Sequence, residues 1–117
     1  MQPEERNWKL RIEDMLECAE KISRYIDEMS FDEFVDSDIT IDAVMRNLEI
    51  VGEAAGYVPN EIKLAYPDVP WRGMRGMRNI LIHVYDAVEL DVIWETCQSR
   101  LPASVPTLRR ILEQHRS

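Results

Sequence analysis

The residues of this sequence that are best suited to chemistry lie together in the segment 72–85. The chain carries 22 acidic and 14 basic residues, yet no acidic residue falls between Val69 and Tyr85, where three arginines occur. The segment also contains two glycines and one of the two histidines. Arginine presents a planar fork of donors to phosphate, and histidine exchanges a proton near neutral pH. Their combination indicates phosphate chemistry.

The spacing of these residues suggests a role for each. On a helix, Asn79 and His83 share one face because they are four residues apart. Arg78 precedes His83 by five residues, and its side chain is long enough to bend toward the ring. His83 would act as general base or acid and Arg78 would stabilise charge on the phosphate, while Asn79 would orient the ring or hold an oxygen. Such a set supports metal-independent attack of a ribose 2′-OH on its own 3′-phosphate.

A simpler interpretation of the same segment stays open. A lone histidine on a helix is more often packed or solvated than catalytic, and arginines at three-residue spacing usually form a solvated face. Gly73 and Gly76 each cost about 1 kcal/mol relative to alanine inside a helix. They would admit a second helix, as in a dimer, or a nucleotide, or they would let the helices of one chain pack. No cluster has metal-ligand spacing, so we expect no metal and no cofactor.

Composition and charge bound the class of protein. A length of 117 residues predicts one domain, 1–117, with its own core. The net charge of −8 argues against broad coating of nucleic acid, although a local cationic cleft is compatible with it. Cys18 and Cys97 match no metal or redox spacing and are expected to be reduced thiols. Without a signal peptide or a long apolar run, the sequence predicts a cytoplasmic protein with no membrane contact.

The sequence shows no strand pattern, so we expect helices to position the segment 72–85. Apolar residues at alternating spacings of four and three predict a first helix from about Asn7, as its N-cap, to Met29. Ser30 and Glu33 have the spacing of a capping box and open a short helix that ends near Val35. The expected architecture is all-α, a bundle of four main helices with short extra helical turns.

The second half of the bundle follows from turn residues and prolines. After a turn at 36–38, a second long helix is expected to run to about Tyr57, and a short helical turn follows at 60–65. Pro70 suits the first turn of a third helix, which carries the arginine and histidine segment and ends near Val84.

The fourth main helix follows a loop at 86–89. Pro102 and Pro106 should kink or interrupt this helix before a last helical stretch at 108–113. His115 is expected to lie in a frayed C-terminus and to be incidental to function.

The residues quoted above resemble the HepT-like family of the HEPN superfamily. The most specific stretch is 78–85, which fits the family pattern of arginine, four residues, histidine, one residue and tyrosine. The likeness covers about Leu10 to Leu101. The other similar stretches are 10–16, 30–34, 42–55, 66–67, 70–72 and 90–94.

This resemblance implies a fold, an activity and partners. It implies an all-helical homodimer whose two Arg78 and His83 motifs line a shared cleft. It also implies a metal-independent ribonuclease toxin that acts on RNA. Its antitoxin would be a minimal nucleotidyltransferase that attaches AMP to Tyr85. Asp86 departs from the pattern, because many relatives carry an aromatic residue there, and a carboxylate beside the cleft would repel RNA phosphates.

Two questions stay open at the level of sequence. The first is Glu53, which shares a helix face with Glu49 and Arg46. Either this is a solvated face with pairing three residues apart, or Glu53 or Asn47 borders the cleft and positions Arg78. The second is the class of protein: a non-catalytic HEPN subunit that presents nucleotide or substrate to a nucleotidyltransferase is the main alternative, and a purely structural helical module is another.

Overall fold

The computed structural model describes the backbone of residues 3–83 and 90–116 and the side chains of residues 8–77 and 90–116. Every regular element within these ranges is helical, as the sequence predicts. The predicted loop at 86–89 and the motif tyrosine, Tyr85, lie outside the described residues. In chain order, the elements are α1 (Pro3–Tyr25), α2 (Phe31–Val35), α3 (Asp38–Gly56), α4 (Asn60–Ala65), α5 (Trp71–His83), α6 (Leu90–Glu95), a π-helical segment (Thr96–Arg100) and α7 (Leu101–Gln114).

Both predicted ends of the first helix are wrong. Helix α1 begins at Pro3, because proline suits a first turn in which the N–H has no partner, and Asn7 therefore lies inside the helix rather than at its cap. The helix ends at Tyr25 instead of Met29. Glu28 has a φ of 60°, which is the left-handed conformation that ends an α-helix.

The predicted capping of the next two helices is confirmed. Ser30 Oγ accepts a hydrogen bond from the Glu33 backbone N–H at 3.1 Å, and the Ser30 N–H donates to Glu33 Oε1 at 3.0 Å. This reciprocal pair starts α2. Ser37 caps α3 in a similar way, since its Oγ accepts from the Thr40 N–H at 3.3 Å.

Helix α3 is the central element that positions α5. It packs against α1 on one side and against α5 on the other, while α7 packs against α1. Trp71, buried as expected, fixes the start of α5, and its Nε1 donates to the Tyr66 carbonyl at 3.1 Å. The fully buried large side chains that fill the core are Phe34, Ile12, Met15, Ile22, Ile93, Leu108, Ile111, Val44 and Val69.

The sequence predicts that Pro102 and Pro106 kink or interrupt the last helical stretch, and the structure shows no interruption. Helix α6, the π-helical segment and α7 follow one another without a gap from residue 90 to residue 114. The Leu101 N–H bonds to the Thr96 carbonyl, five residues earlier, and Pro102 follows immediately. Pro102 therefore falls in the first turn of α7, where a missing N–H is tolerated. Pro106 is exposed within α7, so water can solvate the carbonyl that its ring leaves unpaired.

The two cysteines are separate, buried thiols. Cys18 and Cys97 are both free, and burial raises the pKa of Cys97 to about 12. Across the described ranges, no helix is both long enough and apolar enough to cross a membrane. The same ranges contain no group of three His, Cys, Asp or Glu side chains placed to hold a metal ion.

Candidate active site

Helix α5 carries three of the five residues that the sequence singles out. Arg78, Asn79 and His83 lie in its second half, and His83 is its last residue. The rise of an α-helix puts the Cα atoms of Arg78 and His83 about 7.5 Å apart along the axis. Tyr85 lies outside the described residues. The backbone thus keeps the arginine and histidine positions on one continuous helix.

One side of α5 faces the protein and the other side is open. Trp71 is buried and Met74 packs against the core from the same side. Position 76 shares its face with positions 79 and 83, which follow it by three and seven residues. A Cβ placed on Gly76 would meet no atom within 4 Å in the part of the chain that the structure describes. This face of α5 is therefore uncovered at Gly76.

The two glycines of α5 do not serve packing within the described part of the chain. The nearest atom to a Cβ at Gly73 would be the Pro70 Cβ at 3.8 Å, which is an ordinary contact. Gly76 has no such neighbour among the described residues. The interpretation that these glycines let helices of one chain pack is thus contradicted there.

The polar residues of α3 divide into three environments. Arg46 Nη1 lies 3.8 Å from Glu49 Oε2, which confirms the expected pairing on a solvated face. Asn47 is buried, and its Nδ2 donates to the Ala43 carbonyl at 2.8 Å, so it bonds to its own helix. Glu53 is exposed and forms no ion pair with the other described residues. Its proposed supporting role remains a prediction.

A contact that the sequence did not reveal joins the end of α3 to α5. A Cβ on Gly56 would overlap the guanidinium of Arg75 and would lie 2.7 Å from its Cζ. Gly56 does not have a positive φ, so the missing side chain leaves room for the Arg75 guanidinium rather than permitting an unusual backbone conformation. A glycine at the end of a helix ordinarily indicates a C-cap. Nothing in the spacing between positions 56 and 75 could have identified their contact.

A small apolar groove lies beside α5. Residues of α5, α3 and the π-helical segment line it, and Gly73 is one of them. The other lining residues are Leu48, Val51, Pro70, Met74, Met77, Thr96, Arg100 and Leu101. The open side of α5 therefore adjoins a surface whose lining is mainly apolar.

Comparison with known proteins gives a consistent result. The family model described as ribonuclease HepT-like matches residues 15–114, which include α5 in full. A probable ribonuclease HepT of Thermococcus cleftensis is 40% identical over 98 residues, covering 84% of this chain and 89% of that protein. Two putative RNases of Methanocaldococcus jannaschii are each 35% identical, over 86% and 83% of this chain and 83% and 89% of their own lengths. No solved structure matches the chain.

Proposed function

The chain belongs to the ribonuclease HepT-like family, and from this membership we propose that it is a metal-independent ribonuclease whose catalytic residues are Arg78 and His83. The family match over residues 15–114 is the observation that carries the proposal. The names of the relatives, a probable ribonuclease and putative RNases, point to the same activity. The arginine and histidine of 78–85 supply the two groups that such a reaction needs.

The proposed reaction is an intramolecular transfer at phosphorus. The imidazole of His83 takes the proton of a ribose 2′-OH, and the 2′ oxygen forms a bond to the adjacent phosphorus. The bond from phosphorus to the 5′ oxygen of the next nucleotide breaks, and that oxygen receives a proton from the imidazolium of His83. The products are a 2′,3′-cyclic phosphate and a 5′-OH end. Arg78 stabilises the charge on the phosphate oxygens, and Asn79 orients the ring or holds an oxygen.

The proposed active form is a homodimer built around α5. Two features support it: the space beside Gly76, which no atom of the described residues fills, and the apolar groove that Gly73 lines. A second copy related by a two-fold axis would present the same groove and the same glycines. In that arrangement the two motifs would share one cleft, as in the family that the sequence resembles.

The proposed biological role is that of a toxin held inactive by a nucleotidyltransferase antitoxin. AMP attached to the hydroxyl of Tyr85 would add a phosphodiester charge close to the motif. That charge would pair with Arg78 and take the place of an RNA phosphate, by the logic of phosphorylation. Glu53 is proposed as a supporting residue at the edge of the cleft.

The activity is tested with the purified chain and single-stranded RNA in the presence of a chelator. We expect cleavage that leaves cyclic phosphate ends, and its loss in His83→Ala and in Arg78→Ala. His115→Ala is the matched control, because it removes the other histidine. Cleavage retained by a folded His83→Ala protein would overturn the assignment. Failure of the folded wild-type chain to cleave RNA would instead favour the non-catalytic alternative.

The regulatory part is tested separately by co-expression with the nucleotidyltransferase. We expect mass spectrometry to map added AMP to Tyr85. Tyr85→Phe should remain toxic and escape neutralisation, because it lacks the hydroxyl that accepts the nucleotide. Added mass at another residue, or full neutralisation of Tyr85→Phe, contradicts this mechanism while leaving the nuclease proposal intact.

A further inference from the structure

A basic patch lies where the end of α3 meets the first half of α5. It consists of Arg11, Tyr57, Lys63 and Arg75, which come from four different parts of the chain. The guanidinium of Arg11 lies over the Tyr57 ring, 4.2 Å from the ring centre. Tyr57 follows Gly56 directly, and Arg75 lies against Gly56. Arg11 of α1 and Arg75 of α5 thus lie against two adjacent residues at the end of α3.

The cations of this patch have no acidic partners in the described part of the chain. Within the described side chains, no carboxylate oxygen lies within 4.0 Å of a side-chain nitrogen of Arg11, Lys63 or Arg75. Burial, and secondly the charge of Arg75, lower the pKa of Lys63. The chain has a net charge of −8, yet no described carboxylate pairs with these cations.

The surroundings of the patch admit a planar ligand as well as an anion. Tyr57 is 55% exposed although Arg11 covers part of its ring. An exposed aromatic ring among cations is the combination with which proteins bind single-stranded nucleic acid, through base stacking and phosphate pairing. Glu53 is the nearest acidic residue along α3, one turn before Tyr57, so the patch has a negative border on that side.

The register of α5 connects the patch to the proposed catalytic residues. Positions 75, 78 and 79 share one face, because they are three and four residues apart. Position 83 lies about 12 Å further along the axis than position 75. A strand of a few nucleotides covers this distance. A strand whose phosphate pairs with Arg75 can therefore continue toward His83.

We propose that Arg11, Tyr57, Lys63 and Arg75 bind the single-stranded RNA substrate next to the scissile phosphate, with Arg75 and Lys63 pairing with phosphates and Tyr57 stacking on a base. This inference rests on the proposed ribonuclease function. It assigns substrate binding to residues outside the 78–85 motif. The competing explanation is structural: Arg75 lies at the carboxyl end of α3, where a cation is favoured by the helix dipole.

The test measures binding of a 2′-O-methyl single-stranded RNA of about 12 nucleotides, which has no free 2′-OH and cannot be cleaved. Fluorescence anisotropy at several salt concentrations gives both the affinity and its salt dependence. We expect Arg75→Gln and Lys63→Gln each to weaken binding about 3- to 10-fold. Each should also reduce the slope of log affinity against log salt by about 1. Tyr57→Ala should weaken binding, while Tyr57→Phe should retain it because the ring remains.

A further variant tests whether the position of the Arg75 guanidinium matters, and not only its charge. Gly56→Ala keeps Arg75 but places a methyl group where its guanidinium lies, so the side chain must move. Alanine is also the better helix former, so this variant is expected to fold. We expect weaker RNA binding with the net charge unchanged.

The matched control is Arg109→Gln. Arg109 is an exposed cation on α7, and it lines a different groove, between α7 and α1. Its removal changes the net charge as Arg75→Gln does, and we expect less than a twofold change in affinity. Patch variants that bind RNA as Arg109→Gln does would overturn the inference. So would patch variants that lose stability, or binding to the nucleotidyltransferase, while keeping their affinity for RNA.

Cleavage of unmodified RNA distinguishes this inference from the proposed function. We expect the patch variants to raise KM and to leave kcat within about twofold, because they do not contact the reacting atoms. If the wild-type chain cleaves RNA and the patch variants keep its KM, the inference fails and the ribonuclease stands. If the wild-type chain neither binds nor cleaves RNA, both fail.

Discussion

The C-terminal end of α7 and the middle of α5 lie in contrasting environments. His115, at the end of α7, is enclosed by partners from distant parts of the sequence. Its ring meets the Trp8 ring edge-on, with centres 5.5 Å apart, and its Nε2 lies 3.3 Å from the Tyr66 hydroxyl. The Lys9 ammonium donates to its backbone carbonyl at 2.5 Å. His83 ends α5, whose neighbouring face is uncovered at Gly76.

This contrast teaches that a histidine close to a tyrosine is not by itself a sign of catalysis. His115 has the tyrosine, the cations and a groove nearby, and its contacts fasten the C-terminal end of α7 to α1. The expectation that it lies in a frayed terminus is therefore wrong. The proposed catalytic histidine is distinguished by its place in the 78–85 motif and by the family to which the chain belongs.

The largest expected effect separates the two histidines by activity. His83→Ala should lower the rate of RNA cleavage by about 10²- to 10⁴-fold, because it removes the proposed general base. His115→Ala should leave the rate within about threefold at temperatures where it is folded. Single-turnover cleavage at saturating protein measures both. Equal losses of cleavage rate in His83→Ala and His115→Ala would contradict the assignment of catalysis to His83 alone.

The next effect concerns stability, for which His115 is expected to matter although it is not needed for activity. His115→Ala should lower the free energy of unfolding by about 1–2 kcal/mol, since it loses the edge-on contact with Trp8 and part of its burial. Urea denaturation followed by circular dichroism measures the change. A His115→Ala protein as stable as wild type would show that the terminal cluster does not fasten α7.

A smaller effect is expected at the Tyr66 hydroxyl, which bonds to Gln114 Oε1 and lies beside His115. Tyr66→Phe should lower the free energy of unfolding by about 0.5–1.5 kcal/mol, the usual contribution of a hydrogen bond. Tyr25→Phe is the control, because no described residue bonds to that partly exposed hydroxyl. Denaturation curves that shift equally for both variants would contradict the assigned role.

The smallest effect concerns the open face itself. Gly76→Ala should raise the free energy of unfolding of the isolated chain by about 0.5–1 kcal/mol, because alanine favours the helix and the space is empty. The same methyl group should weaken the proposed dimer. Unfolding at high dilution and sedimentation equilibrium measure the two changes. Destabilisation of the dilute chain would mean that position 76 is covered after all.

Local signals in the sequence predicted most of the helices. Contacts between residues distant in sequence could not be predicted from it. The Ser30 and Glu33 capping box and the face of α3 follow from neighbours within four residues. The start of α1 at Pro3 is also a local signal, because proline suits a first helical turn. The placement of Arg75 against Gly56 depends on how α3 and α5 cross. The environment of His115 depends on Trp8, 107 positions earlier in the sequence.

The same division applies to the candidate site. The residue types and spacing of 78–85 were enough to suggest phosphate chemistry, and the resemblance to a family made the suggestion specific. Spacing could not show that the faces holding Gly73 and Gly76 lack intramolecular neighbours in the described chain. It also could not gather Arg11, Lys63 and Arg75 into one patch, because three separate helices contribute them.

The π-helical segment determines which side of the helical stretch 90–114 faces the rest of the protein. The buried positions in this stretch include the series Ile93, Cys97, Leu101, Ser104, Leu108 and Ile111, with Thr107 buried beside it. The first two steps are both four residues, and each would rotate the buried side by about 40° along a regular α-helix. The wider turn at Thr96–Arg100 takes up this rotation, so one unbroken helix keeps a single side toward α2 and α1 in succession. The number of residues between Ile93 and Leu108 is therefore fixed by geometry, whatever their identity.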